Sequence, residues 1–259
     1  MDGEPGASPF GARLRRWRAH RGISQLALAA KVGSTARHLS FLETGRSRPS
    51  GQMVLRISDA LEVSLRERNQ LLQAAGLPAV YPQADMSGPD LAPYRAALDR
   101  LLRAHLPYPA MVVDAHWTVL MANPACARLY GPDVVGANMV RRFLTDPAAR
   151  HAVVNWTEVA WAGLDRLRHQ VDRAPFDEAL ADLLRQAEAA LAGSAPPDQP
   201  PPNLVLCPWF RHGDQVIKTI GIAARFDPAT EVTLDELRIE LVYPLDDTAE
   251  RFFRTGASA

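Results

Sequence analysis

The chain has 259 residues, 47% of them hydrophobic, which suggests two domains that each bury a core. The formal net charge is zero, because 29 Lys and Arg balance 29 Asp and Glu. No apolar run is long enough to span a bilayer, and the N-terminus lacks the pattern of a signal peptide. The sequence therefore predicts a cytosolic (cytoplasmic) protein without membrane contact.

The zero net charge hides an asymmetry between two parts of the chain. Residues 1–80 carry 12 Lys and Arg against 6 Asp and Glu, whereas residues 81–259 carry 17 against 23. A basic segment beside an acidic remainder predicts an anionic partner for the first part only. Cys126 and Cys207 lie far apart and match no metal-binding spacing, so we expect buried thiols rather than a structural disulfide.

Residues 8–78 are predicted to form an all-α domain of five short helices, because capping residues and glycines divide the segment repeatedly. The helices are expected at about residues 10–20, 25–31, 35–43, 51–61 and 65–75. The expected inner face of the second helix is Leu26, Ala29 and Ala30, and that of the third is Leu39 and Leu42. Residues 79–92 are rich in Pro and Gly and are predicted to form a linker.

Residues 93–255 are predicted to form an α+β domain with an antiparallel sheet of about five strands. One hairpin is expected to turn at residues 114–116, a second at Gly213 and Asp214 after a loop at 193–202, and a last strand covers about 237–243. Covering helices are expected at about residues 94–105, from 124 onward, and at 138–144, 147–173 and 176–191, followed by a short C-terminal helix.

The second and third predicted helices, joined by a glycine turn, have the pattern of a helix-turn-helix whose second helix enters the major groove. Because Leu39 and Leu42 must face the bundle, the N-terminal end of the third helix presents its other side chains outward. Arg37 can pair with a guanine through two hydrogen bonds, and the methyl groups of Thr35 and Ala36 can meet a thymine methyl.

The DNA-contacting residues fall into two predicted groups. Base edges are expected to be met by Thr35, Ala36, Arg37 and Ser40, and phosphates by Gln25, Ser34, Arg46 and Arg48. For Arg46 and Arg48 a solvated turn remains an alternative. The predicted partner is double-stranded DNA.

This segment resembles the helix-turn-helix of phage repressors and xenobiotic-response-element regulators, and the stretch SQLALAAKVGSTARHLSFLETGRSRPS carries the resemblance. The resemblance implies a lambda-repressor-like fold, with Gln25 at a phosphate-contacting position. It also implies that Ala36, Arg37 and Phe41 face bases. Ala36 stands where related repressors often carry a reading side chain such as glutamine, so the number of directly read bases is left open.

Residues 90–259 contain no recognisable catalytic motif, and no metal site or cofactor is predicted. The seven histidines are scattered singly, and we expect His116 and His212 to be surface residues rather than metal ligands. The absence of a catalytic motif favours a sensing domain over an enzyme.

Four further stretches resemble MmyB-like regulators, a bacterial group that joins this helix-turn-helix to a PAS-like ligand-binding domain. They are MVLRISDALEVSLRERNQLLQAAGLPAVY, YPAMVVDAHWTVLMAN, NWTEVAWAGLDRLR and EVTLDELRIELVYPLD. The resemblance implies a homodimeric transcription regulator. It also implies that the second domain holds a small apolar, fatty-acid-like molecule between its sheet and the covering helices.

Large side chains of the second domain are candidates for lining such a pocket, although ordinary core packing is an open alternative for each. These candidate ligand contacts are Trp117, Met121, Trp156, Trp209 and Phe210. Asn123 and Asn155 are candidate polar groups, with helix capping at Pro124 and Trp156 as the alternative.

The sequence thus favours a homodimeric, ligand-responsive transcription factor that binds a palindromic operator. In a second hypothesis the C-terminal domain only dimerises or docks a protein partner, with no small-molecule ligand. A third hypothesis, an enzyme tethered to DNA, lacks a paired acid/base or nucleophile constellation.

Overall fold

The computed structural model describes residues 8–197 and 207–255, which form two compact units. The first unit is built mainly by residues up to Gln83 and the second mainly by residues from Ala84 onward. The extreme N-terminus, part of the predicted loop 193–202 and the start of the second predicted hairpin lie outside the described residues.

From residue 8 onward, the first unit forms five α-helices, as predicted. They are α1 (Pro9–His20), α2 (Gln25–Lys31), α3 (Ala36–Glu43), α4 (Gly51–Ala60) and α5 (Leu65–Ala74). Each helix begins after a Ser or Thr whose hydroxyl accepts a hydrogen bond from a backbone N–H of the first turn, which satisfies an otherwise unpaired donor. These caps explain why the helix boundaries were predictable.

The predicted inner face of α2 is confirmed for Ala29 and wrong for Leu26 and Ala30. Leu28 and Ala29 are buried, whereas Leu26 is 72% exposed and Ala30 is exposed. The helix has only seven residues with apolar side chains on more than one face, so spacing alone did not select the buried one. Val32 follows the helix and is buried. It extends the apolar stripe that begins at Leu28, and this stripe determines which face of α2 turns inward.

In the second unit, the described residues form six strands in two antiparallel sheets, whereas about five strands in one sheet were predicted. The larger sheet has the order β2-β1-β6-β5, formed by β2 (Val119–Ala122), β1 (Ala110–Val113), β6 (Arg238–Pro244) and β5 (Thr219–Ala224). A separate hairpin pairs β3 (Phe210–His212) with β4 (Gln215–Ile217), and it turns at Gly213 and Asp214 as predicted.

Helices pack around this sheet. They are α6 (Ala92–Ala104), α7 (Ala127–Tyr130), α8 (Pro147–Ala152), α9 (Trp156–Arg173), α10 (Glu178–Leu191), α11 (Val232–Glu236) and α12 (Asp247–Thr255). A 3₁₀ turn spans Pro124–Cys126 and a π-helical turn spans Arg141–Thr145.

The long helix predicted over 147–173 is broken into α8 and α9. At the break, Val153 forms a β-bridge to Phe210, and the Val154 N–H donates to the Trp209 carbonyl at 2.8 Å. The Asn155 amide donates to the Cys207 carbonyl and its oxygen accepts from the Trp209 N–H, so it caps no helix. Pairing with a segment more than 50 residues away interrupts an otherwise unbroken helical pattern.

Alternation along the strands gives the larger sheet two different faces. Val112 and Ile239 point into a core that also contains Leu91, Leu98 and Leu102. Ala84 and Met86, within the predicted linker, pack against the same core. The residues next in sequence to Val112 and Ile239 face the opposite side of the sheet.

Candidate DNA-binding surface and ligand cavity

The turn between α2 and α3 fixes how α3 is presented. Gly33 has a φ of +64°, a backbone conformation that favours glycine, and it lets the chain reverse after α2. The Thr35 hydroxyl accepts a hydrogen bond from the His38 N–H at 3.1 Å and starts α3. Leu39 and Leu42 are buried, which turns the rest of the helix start outward as predicted.

The predicted DNA-contacting residues lie at or near the surface of the first unit. Exposed are Thr35, Arg37, Arg46 and Arg48, and half-buried are Gln25, Ser34, Ala36, Ser40 and Phe41. The Arg37 guanidinium lies 5.3 Å from the centroid of the Phe41 ring, and this cation–π contact favours one placement of the long side chain.

A buried carboxylate ties three helices of this unit together. Glu43, 1% exposed, accepts hydrogen bonds from Arg18 Nε at 2.7 Å and from Gln25 Nε2 at 2.8 Å, and Arg15 Nε lies 3.6 Å away. Burial by itself raises the pKa of Glu43, but the hydrogen bonds from Arg18 and Gln25 outweigh it and lower the pKa. Glu43 therefore stays ionised and holds the side chain of Gln25, a predicted phosphate contact.

Gly11 allows α1 and α3 to approach closely. A Cβ at this position would lie 2.4 Å from the Glu43 carbonyl oxygen and 2.7 Å from that of Leu42. Gly11 and Glu43 were not among the predicted functional residues. Neither has a local signal, because both act through contacts between helices that are distant in sequence.

The second unit contains a cavity of about 250 Å³ against the face of the larger sheet opposite the core. Strand alternation supplies part of its wall, since Met111 and Val113 from β1 and Val242 from β6 line it. The covering side is mostly apolar and includes Tyr130, Met139, Val140, Phe143, Leu144, Val159, Ala162 and Gly163. Such an apolar wall with a few polar groups is typical of small-molecule sites.

Charged groups gather at one part of the cavity wall around Trp117. Arg166 donates to Glu240 at 2.9 Å, and both residues line the cavity. The guanidinium groups of Arg166 and Arg238 lie 4.5 and 4.8 Å from the Trp117 ring centroid. The Trp117 indole N–H donates to Gln170 at 2.8 Å. Trp117 has a φ of +67°, which is a strained backbone conformation for a bulky residue. The contacts of its side chain help to maintain this conformation.

Family models match both units of the chain. Residues 94–255 match the MmyB-like transcription regulator ligand binding domain, which is more than half of the chain, and residues 14–68 match a helix-turn-helix family. The chain belongs to the MmyB-like transcription regulators. It is a DNA-binding regulator, with its helix-turn-helix in the first unit and its ligand-binding domain in the second.

Other comparisons add little to this assignment. No curated protein matches the chain. Among solved structures, an RNA-binding light-oxygen-voltage receptor matches at 16% identity over 97% of this chain and 64% of the receptor chain, with a TM-score of 0.25. The chain thus spans less than two thirds of the receptor's length, and this likeness carries no argument about fold or function.

Of the five predicted ligand contacts of this MmyB-like regulator, one lines the cavity and four do not. Trp117 lines the cavity, whereas Met121 packs against the core on the other face of the sheet. Trp156 is buried and donates its indole N–H to the Phe143 carbonyl, and Trp209 lies under the Lys218 ammonium. Phe210 is buried with its ring edge against Tyr130, next to the lining but outside it.

Asn123 also has a structural rather than a lining position. It is buried, accepts from the Ala110 N–H and donates to the carbonyls of Leu102 and Tyr108. Asn123 occupies the N-cap position of the turn that starts at Pro124, as the alternative predicted, but its side chain makes no capping hydrogen bond. Alternation along β1 and β6 determines which residues share a face of the sheet. The local sequence does not show that the helices leave a cavity against the face opposite the core. Tyr130, Arg166 and Glu240 were missed for that reason.

The remaining titratable candidates from the sequence are His116, Cys126 and Cys207. His116 Nε2 lies 2.9 Å from Asp177, and this hydrogen bond raises the pKa of His116 despite its partial burial. Both Cys126 and Cys207 are free thiols, and burial raises the pKa of Cys126 to about 12. Within residues 8–197 and 207–255, no cluster of three His, Cys, Asp or Glu side chains is arranged to hold a metal ion. No helix in these ranges is both long and apolar enough to cross a membrane.

Proposed function

We propose that this regulator is a homodimer that binds a palindromic operator in double-stranded DNA and responds to a small apolar, fatty-acid-like effector. The observation that carries the proposal is the cavity of about 250 Å³ between one sheet face and its covering helices, in a chain that also carries a DNA-binding unit. The PAS-like character predicted for the second unit is supported by its antiparallel sheet with covering helices.

In this proposal α3 reads the base sequence, and residues near it position the helix on the DNA. The exposed Arg37 meets a guanine edge in the major groove, while Arg46 and Arg48 contact phosphates. Two recognition helices in a dimer meet half-sites about 34–36 Å apart, one turn of the double helix. The dimer has two arrangements that differ in operator affinity. An effector that binds one arrangement more tightly than the other shifts the equilibrium toward it and so changes operator affinity.

The first experiment is selection of bound duplexes from a random pool with the full-length protein at fixed salt. We expect a palindromic site with half-site centres about 10 base pairs apart. Unselective recovery would contradict sequence-specific binding. Native mass spectrometry of the same preparation addresses the effector: a co-purified small molecule supports a ligand-binding unit, and its absence favours a unit that only dimerises or docks a protein. Cytoplasmic location and lack of enzymatic activity stay predictions.

A further inference from the structure

Tyr130 is the last residue of α7, and it brings a hydroxyl group to the cavity wall. The residue is 7% exposed and lines the cavity, and its ring lies edge-on to Phe143 and Phe210, with centroids 6.1 and 5.5 Å away. Among residues 8–197 and 207–255, no group forms a hydrogen bond with the Tyr130 hydroxyl.

The neighbouring polar groups of the cavity differ from Tyr130 in having partners. The Thr219 hydroxyl donates to the Pro208 carbonyl at 2.7 Å, and Arg166 pairs with Glu240. Cys207 Sγ accepts from the Gly221 N–H at 2.8 Å. The hydroxyl of Tyr130 is thus the cavity group, among the described residues, whose hydrogen-bonding capacity the fold leaves unused.

A hydroxyl in a cavity wall that has no partner in the surrounding fold keeps its hydrogen-bonding capacity for an occupant of the cavity. Burial raises the pKa of Tyr130, which keeps the hydroxyl protonated and therefore able to donate. A donor that faces a cavity is satisfied when the occupant of that cavity brings an acceptor. The packing of the ring against Phe143 and Phe210 holds the donor in place beforehand.

We propose that the Tyr130 hydroxyl donates a hydrogen bond to a carbonyl or carboxyl oxygen of the bound effector and so selects oxygen-bearing amphiphiles over plain hydrocarbons. The inference rests on the proposed function, because it requires an effector in this cavity. The apolar body of the effector packs against Met111, Met139 and Phe143, which line the same cavity. Tyr130 is then a specificity-determining residue that no local sequence pattern indicated.

The test compares wild-type full-length protein with Tyr130→Phe by titration calorimetry. The probes are octanoate and octan-2-one, which carry an oxygen acceptor, and 1-chloroheptane, which has similar length without a strong acceptor. A volume of about 250 Å³ corresponds to roughly eight water-sized groups, which matches probes of this length. We expect Tyr130→Phe to bind octanoate and octan-2-one about fivefold to tenfold more weakly and 1-chloroheptane with unchanged affinity.

The thermal stability of the ligand-free protein gives a second readout. Since the Tyr130 hydroxyl has no partner in the described fold, Tyr130→Phe should leave the Tm of the ligand-free protein unchanged or raise it. Tyr108→Phe is the matched control, because its hydroxyl donates to Glu250 at 2.7 Å and it does not line the cavity. Tyr108→Phe should lower the Tm and leave the affinity for all three probes unchanged.

Equal affinity of wild type and Tyr130→Phe for octanoate and octan-2-one would overturn the role of Tyr130 and leave the proposed function standing. A drop in Tm for Tyr130→Phe as large as that of Tyr108→Phe would also overturn it, since the hydroxyl would then be a structural group. If none of the three probes binds wild type, both this inference and the effector part of the proposed function fail.

Discussion

Arg37 and Arg48 differ in what their removal should change, although both are exposed arginines near the recognition helix. Replacing Arg37 by Ala removes the proposed base contact, so we expect a loss of about 1–3 kcal/mol at one base pair and relaxed preference there. Replacing Arg48 by Ala removes the proposed phosphate contact, so all sequences should bind more weakly and the salt slope should fall by about one unit. Binding to operator variants at several salt concentrations measures both effects.

The opposite pattern, a uniform loss for Arg37→Ala and a base-specific loss for Arg48→Ala, would mean that α3 meets the groove in a different register. Lys31→Ala gives a reference for loss of one exposed cation outside the predicted contacts.

Glu43→Gln should destabilise the protein by about 2–3 kcal/mol at neutral pH, because it weakens charge-assisted hydrogen bonds of a buried carboxylate. The folded-state pKa of Glu43 lies below its ordinary value of 4.5, so its contribution is present above that value and is lost as pH falls through the folded-state pKa. The difference between wild type and variant should therefore shrink in acid.

Urea unfolding of full-length wild type and Glu43→Gln, measured from pH 7 downward, checks this expectation. Glu62→Gln is the control, because Glu62 is exposed and the same change there should be nearly neutral. A difference that stays constant with pH would show that the Glu43 charge is not what stabilises the contact.

The helices of the first unit show what local sequence determines and what it leaves open. Caps such as Ser24 and Thr35 act within one turn, so helix boundaries could be predicted from short stretches. The buried face of α2 depended on Val32 and on neighbouring helices, and the break between α8 and α9 depended on Phe210. The helix boundaries of the first unit were predictable from local sequence. The buried face of a helix and the break within a helical pattern depend on contacts between residues distant in sequence.

The same distinction applies to the candidate sites. The exposure of Arg37 followed from burial of Leu39 and Leu42 on one short helix, so the outward face of α3 was predictable. The cavity depends on which sheet face the helices leave incompletely filled, and of the predicted contacts only Trp117 lines it. Bulky aromatic residues suit a packed core as well as a pocket wall, so residue type alone did not separate the two.

The contact between α1 and α3 gives a prediction at the level of elements. Gly11→Ala would force a Cβ to 2.4 Å from a backbone oxygen of α3, and we expect a loss of about 3 kcal/mol or more in the free energy of unfolding. Gly51→Ala in α4 is a matched control, since its Cβ would meet only Leu77 Cδ1 at 3.9 Å. Equal stability of the two variants in urea unfolding would contradict the close approach.

For the whole molecule, the central claim is that occupancy of the cavity changes operator affinity. Gly163 is a position from which a side chain can be added to the cavity, because it lines the cavity on α9 and a Cβ there would meet nothing within 4 Å. Gly163→Leu should therefore occupy the effector's space while the Tm is retained, and Gly163→Ala, with only one added methyl group, should keep the response.

The most direct measurement is the operator affinity of full-length wild type, Gly163→Leu and Gly163→Ala, each with and without octanoate at fixed salt. The account predicts that octanoate changes the affinity of wild type and Gly163→Ala by about fivefold or more and leaves Gly163→Leu unchanged. No change in wild type, or the same change in Gly163→Leu, would contradict it.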